Sequence, residues 1–299
     1  MSAAAQRIAA PNALETVTLR DPVANVSATF APGAGMVCCS LRHEGEELLA
    51  QKDGLDAYVR TGATMGIPLL HPWANRLDGW SYEALGRSVD LRAAEAIVPV
   101  EEHGLPIHGT LPRAWRVVAS GWRLAAELAD GASAAFPFPH KVRLEAELSA
   151  ATLRIRTTIA PNSTQPVPVA FGFHPYLVLP GVPRAAWRIE LPVRCHLVTD
   201  RRLIPAGPPE RVEPYSGPLG ARVYDDGFDH LERPTVFAVE GGGRRIEVAF
   251  EHGFPVAQVF APAARDVVCF EPMTAPANAL VTGAFELAPY TATFAVSVG

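Results

Sequence analysis

The sequence predicts an all-β protein built as one large antiparallel β-sandwich. Three observations lead there. Short segments in which apolar and polar residues alternate recur along the chain, the period of a strand with one buried face. The 28 prolines and 24 glycines are spread through the 299 residues rather than gathered in a linker, so they punctuate many short segments. No segment carries a leucine-rich, heptad or propeller period. With 48% hydrophobic and 19% charged residues the chain is long and apolar enough for a large core. Nothing marks a boundary, so residues 1–299 are expected to form a single domain.

The elements follow in order. Residues 14–19 (LETVTL) alternate as a half-buried strand does, and residues 26–30 repeat the pattern before Ala31-Pro32-Gly33 turns the chain. Residues 35–41 and 47–50 are two more strands, joined through His43-Glu44-Gly45-Glu46, so the chain opens as a β-meander. Residues 66–79 (GIPLLHPWANRLDG) contain two prolines and do not alternate; a loop crossing a binding surface is expected. Residues 82–91 are a hairpin through Leu85-Gly86-Arg87. Residues 105–115 (LPIHGTLPRAW) make a second irregular loop, in which Gly109 would let the backbone approach a ligand closely. Strands are expected at 115–120, 122–128, 141–148 and 152–160, the last two suited to a sheet with one wet face. Asn162-Ser163-Thr164 turns the chain, and residues 167–173 lead into His174. Short strands at 187–191 and 195–198 precede a Pro- and Gly-rich loop at 205–219. Residues 224–231 (YDDGFDHL) hold three carboxylates without a helical period. Gly241-Gly242-Gly243 joins strands 235–240 and 244–250 as a hairpin. Strands at 257–261, at 267–270 with Glu271-Pro272 following, at 285–287 and at 291–298 complete the chain.

A net charge of -5 and a pI near 6.0 offer no support for a nucleic-acid or membrane partner. Of the four cysteines, Cys38 and Cys39 are adjacent and neither Cys195 nor Cys269 sits in a CxxC pair. That is neither a zinc site nor a disulfide framework, and it suits a reducing compartment. The first nineteen residues lack a signal-type apolar core, and no stretch approaches the ~20 apolar residues that span a bilayer. A soluble, cytoplasmic protein is expected. There is no P-loop, no G-x-G-x-x-G opening a helix, no HExxH and no G-x-S-x-G, so neither a metal nor a cofactor is called for.

The chemistry therefore rests on polar residues set singly in apolar stretches. Residues 169–180 (VAFGFHPYLVLP) hold one histidine, His174, before a proline that marks a strand end or an edge. A neutral imidazole there holds or releases a proton near neutral pH. Glu271 mirrors it after DVVCF and before Pro272, and a carboxylate at the end of a buried strand is costly unless paired or used. Arg76, His108 and Asp225 complete the set. Taken singly, each also has a bland reading: a structural histidine, a salt-bridged glutamate, a surface arginine, a turn histidine, a turn-capping aspartate.

Taken together, LLHPWANRLDGW, PIHGTLPRAW, FGFHPYLVLPG, YDDGFDHL and VVCFEPMTAPANAL resemble the ordered signatures of the aldose 1-epimerase (galactose mutarotase-like) family. The resemblance covers nearly the whole chain. It implies an antiparallel supersandwich with a sugar bound in a cleft on one sheet. The implied activity is that of an isomerase, a mutarotase interconverting the α and β anomers of a hexose by ring opening, with no cofactor. It implies His174 as general acid and Glu271 as general base. It further implies that Arg76 of the Asn75-Arg76 pair, His108 and Asp225 bind the sugar, Asp226 and Asp229 being alternatives to Asp225. Trp73 or Tyr176 would pack on the sugar's apolar face or belong to the core. Thr110 after His108-Gly109, Phe173 before His174 and the Glu271-Pro272-Met273-Thr274 sequence depart from galactose-preferring members, so the sugar stays open. A hexose phosphate is one alternative, with Arg113, Arg116 or Lys141 as candidate phosphate ligands. A non-catalytic carbohydrate-binding protein is another, and a glycosidase using Asp225 and Glu271 a third. The oligomeric state is not legible.

Overall fold

A computed structural model describes residues 7–8 and 15–299. Two antiparallel sheets face one another. One has ten strands and includes the longest in the chain, His140–Ser149, Thr152–Pro161, Arg244–His252 and Tyr290–Val298. Along His140–Ser149 buried and less buried residues alternate strictly, so its apolar face turns inward and its polar face meets water. The other sheet runs Glu210–Arg211, Cys195–Leu197, Tyr224–Phe228, Val256–Ala261, Val268–Met273, Gly172–Phe173, Leu69–Leu70, with Tyr176–Leu177 also paired to Val268–Met273. Aromatic rings fill the space between. Phe237 of the first sheet stacks on Phe270 of the second at 5.4 Å, and Phe294 meets Phe173 at 4.8 Å. The expected sandwich is therefore present, with antiparallel pairing throughout the named strands.

The opening meander is Val17–Asp21, Val26–Ala31, Val37–His43 and Glu46–Glu47. Leu14, expected in its first strand, lies outside the described residues, as does most of the N-terminal segment tested for a signal. The hairpin Ser81–Ala84 and Arg87–Asp90 and the hairpin Thr235–Gly241 and Arg244–His252 stand where the turn residues placed them. The segment at 205–219 is not all loop. It contains Glu210–Arg211 and Tyr215–Pro218, each the outermost strand of its sheet, and an edge is where a strand accommodates proline. A short helix, Gly54–Thr61, follows the meander at a place where no element was expected. Among the described residues no helix is long and apolar enough to cross a membrane, and all four cysteines are free thiols.

One correction bears on the site. The strand expected to stop at Phe270 continues as Val268–Met273, so Glu271 and Pro272 lie inside it. On one side it pairs continuously with Val256–Ala261. On the other side Tyr176–Leu177 pairs with Cys269 and Val268, Gly172 pairs with Met273, and His174-Pro175 interrupts the ladder between them. Pro272 is tolerated in a central strand because its missing N–H faces Phe173, which has no ladder partner in that strand.

Candidate functional site

Strand register decides which side chains share a face. Tyr176, Cys269, Phe260 and Asp225 are directly opposed across successive strands, and Glu271, Gln258 and Gly227 form the next row. Asp225 therefore faces the same way as Glu271, whereas Asp226 faces away and bonds His196 at 3.0 Å. The choice among the acidic residues of YDDGFDHL follows from this alternation.

Above these rows lies a cleft of about 410 Å³. Asn75, Arg76, His108, His174, Asp225 and Glu271 all line it. The cleft brings together residues up to 219 positions apart in sequence, Lys52 and Glu271 being the extremes. At the floor, His174 Nε2 stands 3.2 Å from Glu271 Oε1, with the two residues 5% and 2% exposed. The Tyr176 hydroxyl contacts the same nitrogen at 3.0 Å and Thr64 Oγ1 at 2.5 Å, and its ring stacks on the imidazole at 4.1 Å. His174 Nδ1 has no hydrogen-bond partner among the described residues.

Burial penalises charge on both members of this pair. It pushes the Glu271 carboxyl well above its ordinary 4.5; Asp225 adds to the rise and Arg76 opposes it. It holds His174 well below its ordinary 6.5, with His108, Arg265 and Lys52 contributing. At 3.2 Å the two groups form one titrating unit with a shared proton, and burial favours its resting on Glu271.

One wall is built from residues 75–76 and 107–108. Asn75 and His108 both adopt left-handed backbone conformations, φ +60° and +61°. They hold each other there: the His108 N–H donates to the Asn75 carbonyl at 3.0 Å, and the Asn75 N–H donates to His108 Nδ1 at 3.2 Å. Nδ1 is thus an acceptor and the ring hydrogen sits on Nε2. Burial, reinforced by Arg76, pulls His108 down to about 3, so it stays a neutral donor at physiological pH. Gly109, φ +68°, packs on the His71 carbonyl, with which a Cβ would collide.

Arg76 ties three distant segments. Its Nε donates to Glu101 and one terminal nitrogen to Asp225, each at 3.3 Å, and the other contacts Asn75 Oδ1. Gln258 Nε2 donates to the second Asp225 oxygen at 2.7 Å. Asp225 is thereby oriented as an acceptor with its charge compensated.

The sequence reading missed Glu101, Gln258, Phe260, Lys52 and Arg265, all of which line the cleft. Gln258 carried a signal, as the one polar residue in VAQVFA. Glu101 carried none. Tyr176 lines the cleft, while Trp73, at 1% exposed, is core. None of the candidate phosphate ligands lines it. Arg113 bonds the Val59 carbonyl in a neighbouring cavity, Arg116 pairs with Glu127 on the wet face of the ten-stranded sheet, and Lys141 is exposed on that sheet. Away from the cleft, Cys195, Asp229 and His230 bring three potential metal-ligand atoms within 4.8 Å of one another, a grouping that sequence spacing did not reveal.

Two stacked antiparallel sheets with a polar cleft over one of them define a galactose mutarotase-like fold. Solved structures bear this out. The Slr1438 protein of Synechocystis sp. PCC 6803 is 22% identical, with 98% of each chain covered and a TM-score of 0.75. The GalM/aldose epimerase homologue from C. elegans is 14% identical, covering 95% of this chain and 98% of its own, with a TM-score of 0.74. A galactose mutarotase related enzyme from Lactobacillus acidophilus is also 14% identical, with 95% and 97% covered and a TM-score of 0.73. No curated protein sequence matches the chain. The family model described as aldose 1-epimerase matches residues 15–287, and the chain belongs to that family.

Proposed function

We propose that the cleft is the active site of a mutarotase, in which Glu271 and His174 catalyse opening and reclosing of a pyranose ring. One observation carries this reading: a buried carboxyl and a buried imidazole 3.2 Å apart on the cleft floor. The two oxygens that exchange protons during mutarotation, O1 and O5, are both bonded to C1. An acid and a base serving them must lie close together, as these two do.

The proton count closes. The pair holds one proton. With a sugar bound, the O1 hydroxyl donates to Glu271 and stabilises its carboxylate form, so the proton resides on His174. Glu271 then takes the O1 proton as C1 becomes an aldehyde, the C1–O5 bond breaks, and His174 Nε2 protonates O5. Both groups are now neutral, the state burial favours. Rotation about C1–C2 presents the other face of the aldehyde. Reclosing returns the O5 proton to His174 and the Glu271 proton to O1, which restores the starting pair. No electrons or groups are transferred. Each of the two groups contributes ~10²–10⁴-fold in such a scheme. Asp225 accepts from sugar hydroxyls, Arg76 and His108 donate, and Arg76 keeps Asp225 aimed.

The test is polarimetric: α-to-β conversion across a panel of aldoses, corrected for the spontaneous rate. Enzyme-dependent conversion of at least one sugar supports the proposal. Binding of sugars without conversion would identify a non-catalytic carbohydrate-binding protein instead.

A further inference from the structure

The charged groups of the cleft sort into two ends. At one end Arg76 lies between Glu101 and Asp225, and Asp225 and Arg76 act on Glu271. At the other end stand Lys52 and Arg265. The Arg265 guanidinium lies 5.9 Å from the centre of the Phe260 ring, and that ring meets His174 edge-on at 5.8 Å. Both cations act on His174, and Arg265 also acts on Tyr176. Burial lowers the Lys52 pKa, Arg265 lowers it further, and Asp53 opposes the shift. Unlike Arg76, neither Lys52 nor Arg265 forms an ion pair among the described residues. Two cations close enough to oppose each other, neither held in an ion pair among the described residues, raise the local positive potential at one end of a sugar-sized cleft, with Asp53 partly offsetting it.

The connectivity of a pyranose says what that end would meet. If Glu271 addresses O1 and His174 addresses O5, then C5 and its exocyclic C6 extend past O5 on the side of His174. That is the side of Lys52 and Arg265. We infer that Lys52 and Arg265 receive an anionic group on C6 of the sugar, either a phosphate ester on O6 or the carboxylate of a uronic acid. This rests on the mutarotase reading above and makes Lys52 and Arg265 determinants of specificity, with no part in proton transfer. It also replaces Arg113, Arg116 and Lys141 as the cationic residues of interest.

The experiment compares matched sugars on the same enzyme: glucose and galactose, their 6-phosphates, and glucuronate and galacturonate. Rates are corrected for each sugar's spontaneous mutarotation. The expected kcat/KM is about tenfold or more higher for at least one anionic series than for the neutral parents, mainly through KM, and high ionic strength shrinks the difference. Phosphate and carboxylate are distinguished by which series gains. In the Lys52→Gln, Arg265→Gln double variant the ratio of anionic to neutral kcat/KM should fall about tenfold. Both positions are exposed, so the fold should tolerate the changes, and a thermal melt checks this. Turnover of neutral aldoses with no anionic advantage, or a ratio unchanged in the double variant, overturns this inference and leaves the mutarotase reading standing. No turnover of any sugar overturns both.

Discussion

On the proposed mechanism, replacing Glu271 with glutamine should abolish most anomer interconversion and stabilise the protein. Glutamine keeps the size of the side chain and its hydrogen bonding but takes no proton from O1. The loss in kcat should be ~10²–10⁴-fold with little change in KM, because general base help is given in the transition state. The stability effect follows from linkage. Burial and Asp225 raise the folded-state pKa of Glu271 well above 4.5, so the folded protein keeps a proton that the unfolded chain releases. The stability tied to that proton is fully present below 4.5 and is lost as pH rises toward the folded value. The loss is about 1.4 kcal/mol for each pH unit over which the folded carboxyl stays protonated and the unfolded one does not. Glutamine does not titrate and removes the loss. Near neutral pH the variant should gain ~1 kcal/mol or more, a rise of roughly 2–4 °C in Tm for a chain of this size. The assays are polarimetry on the best sugar and thermal melts from pH 5 to 8. The gap in Tm should widen as pH rises. Near wild-type kcat would remove Glu271 as the base, and a Tm gap that stays flat or reverses would remove the account of its buried carboxyl.

His174→Asn should lower kcat by a similar factor. Its folded-state pKa is depressed, so the wild type loses stability as pH falls below 6.5, and melts of the variant should flatten that acid limb. Asp225→Asn should raise KM about tenfold with a smaller effect on kcat, since it weakens an acceptor for sugar hydroxyls. It should also shift the alkaline limb of the pH–rate profile to lower pH, because a negative neighbour that raises the Glu271 pKa is gone. Gly109→Ala should cost ~2 kcal/mol or more in chemical denaturation and raise KM, because the new Cβ meets the His71 carbonyl and the backbone that holds His108 must move.

What could be read from the chain follows the range of each signal. Alternation is local, so the long strands at 140–161 and 235–252 were visible, and so was the hairpin through three glycines. The end of the strand at Glu271 was misplaced because a proline inside a strand is acceptable only where the neighbouring ladder is interrupted, and that neighbour, at residues 173–175, lies about a hundred residues away. Asp225 and Asp226 are chemically alike and adjacent; only register, supplied by Phe260 and Val259 opposite them, sets one toward the cleft. Glu101 sits in a turn where acidic residues are commonplace. Its contact with Arg76 depends on how two loops cross, which no local pattern encodes.

The interrupted ladder and the row of side chains beneath the cleft divide the site into a floor and a rim. His174, Glu271, Asp225 and Gln258 stand on or between strands whose register is fixed by the aromatic layer behind them. Lys52 and Arg265 come from segments outside those strands, one before the helix Gly54–Thr61 and one between Val256–Ala261 and Val268–Met273. Such a layout lets selection act on two parts of the molecule at different rates. On the proposed mechanism, exchange of exposed residues at 52–53 or 263–266 would retune which sugars enter without disturbing His174 and Glu271. If the mutarotase reading holds, a library confined to those positions should yield variants that differ in substrate preference while melting together.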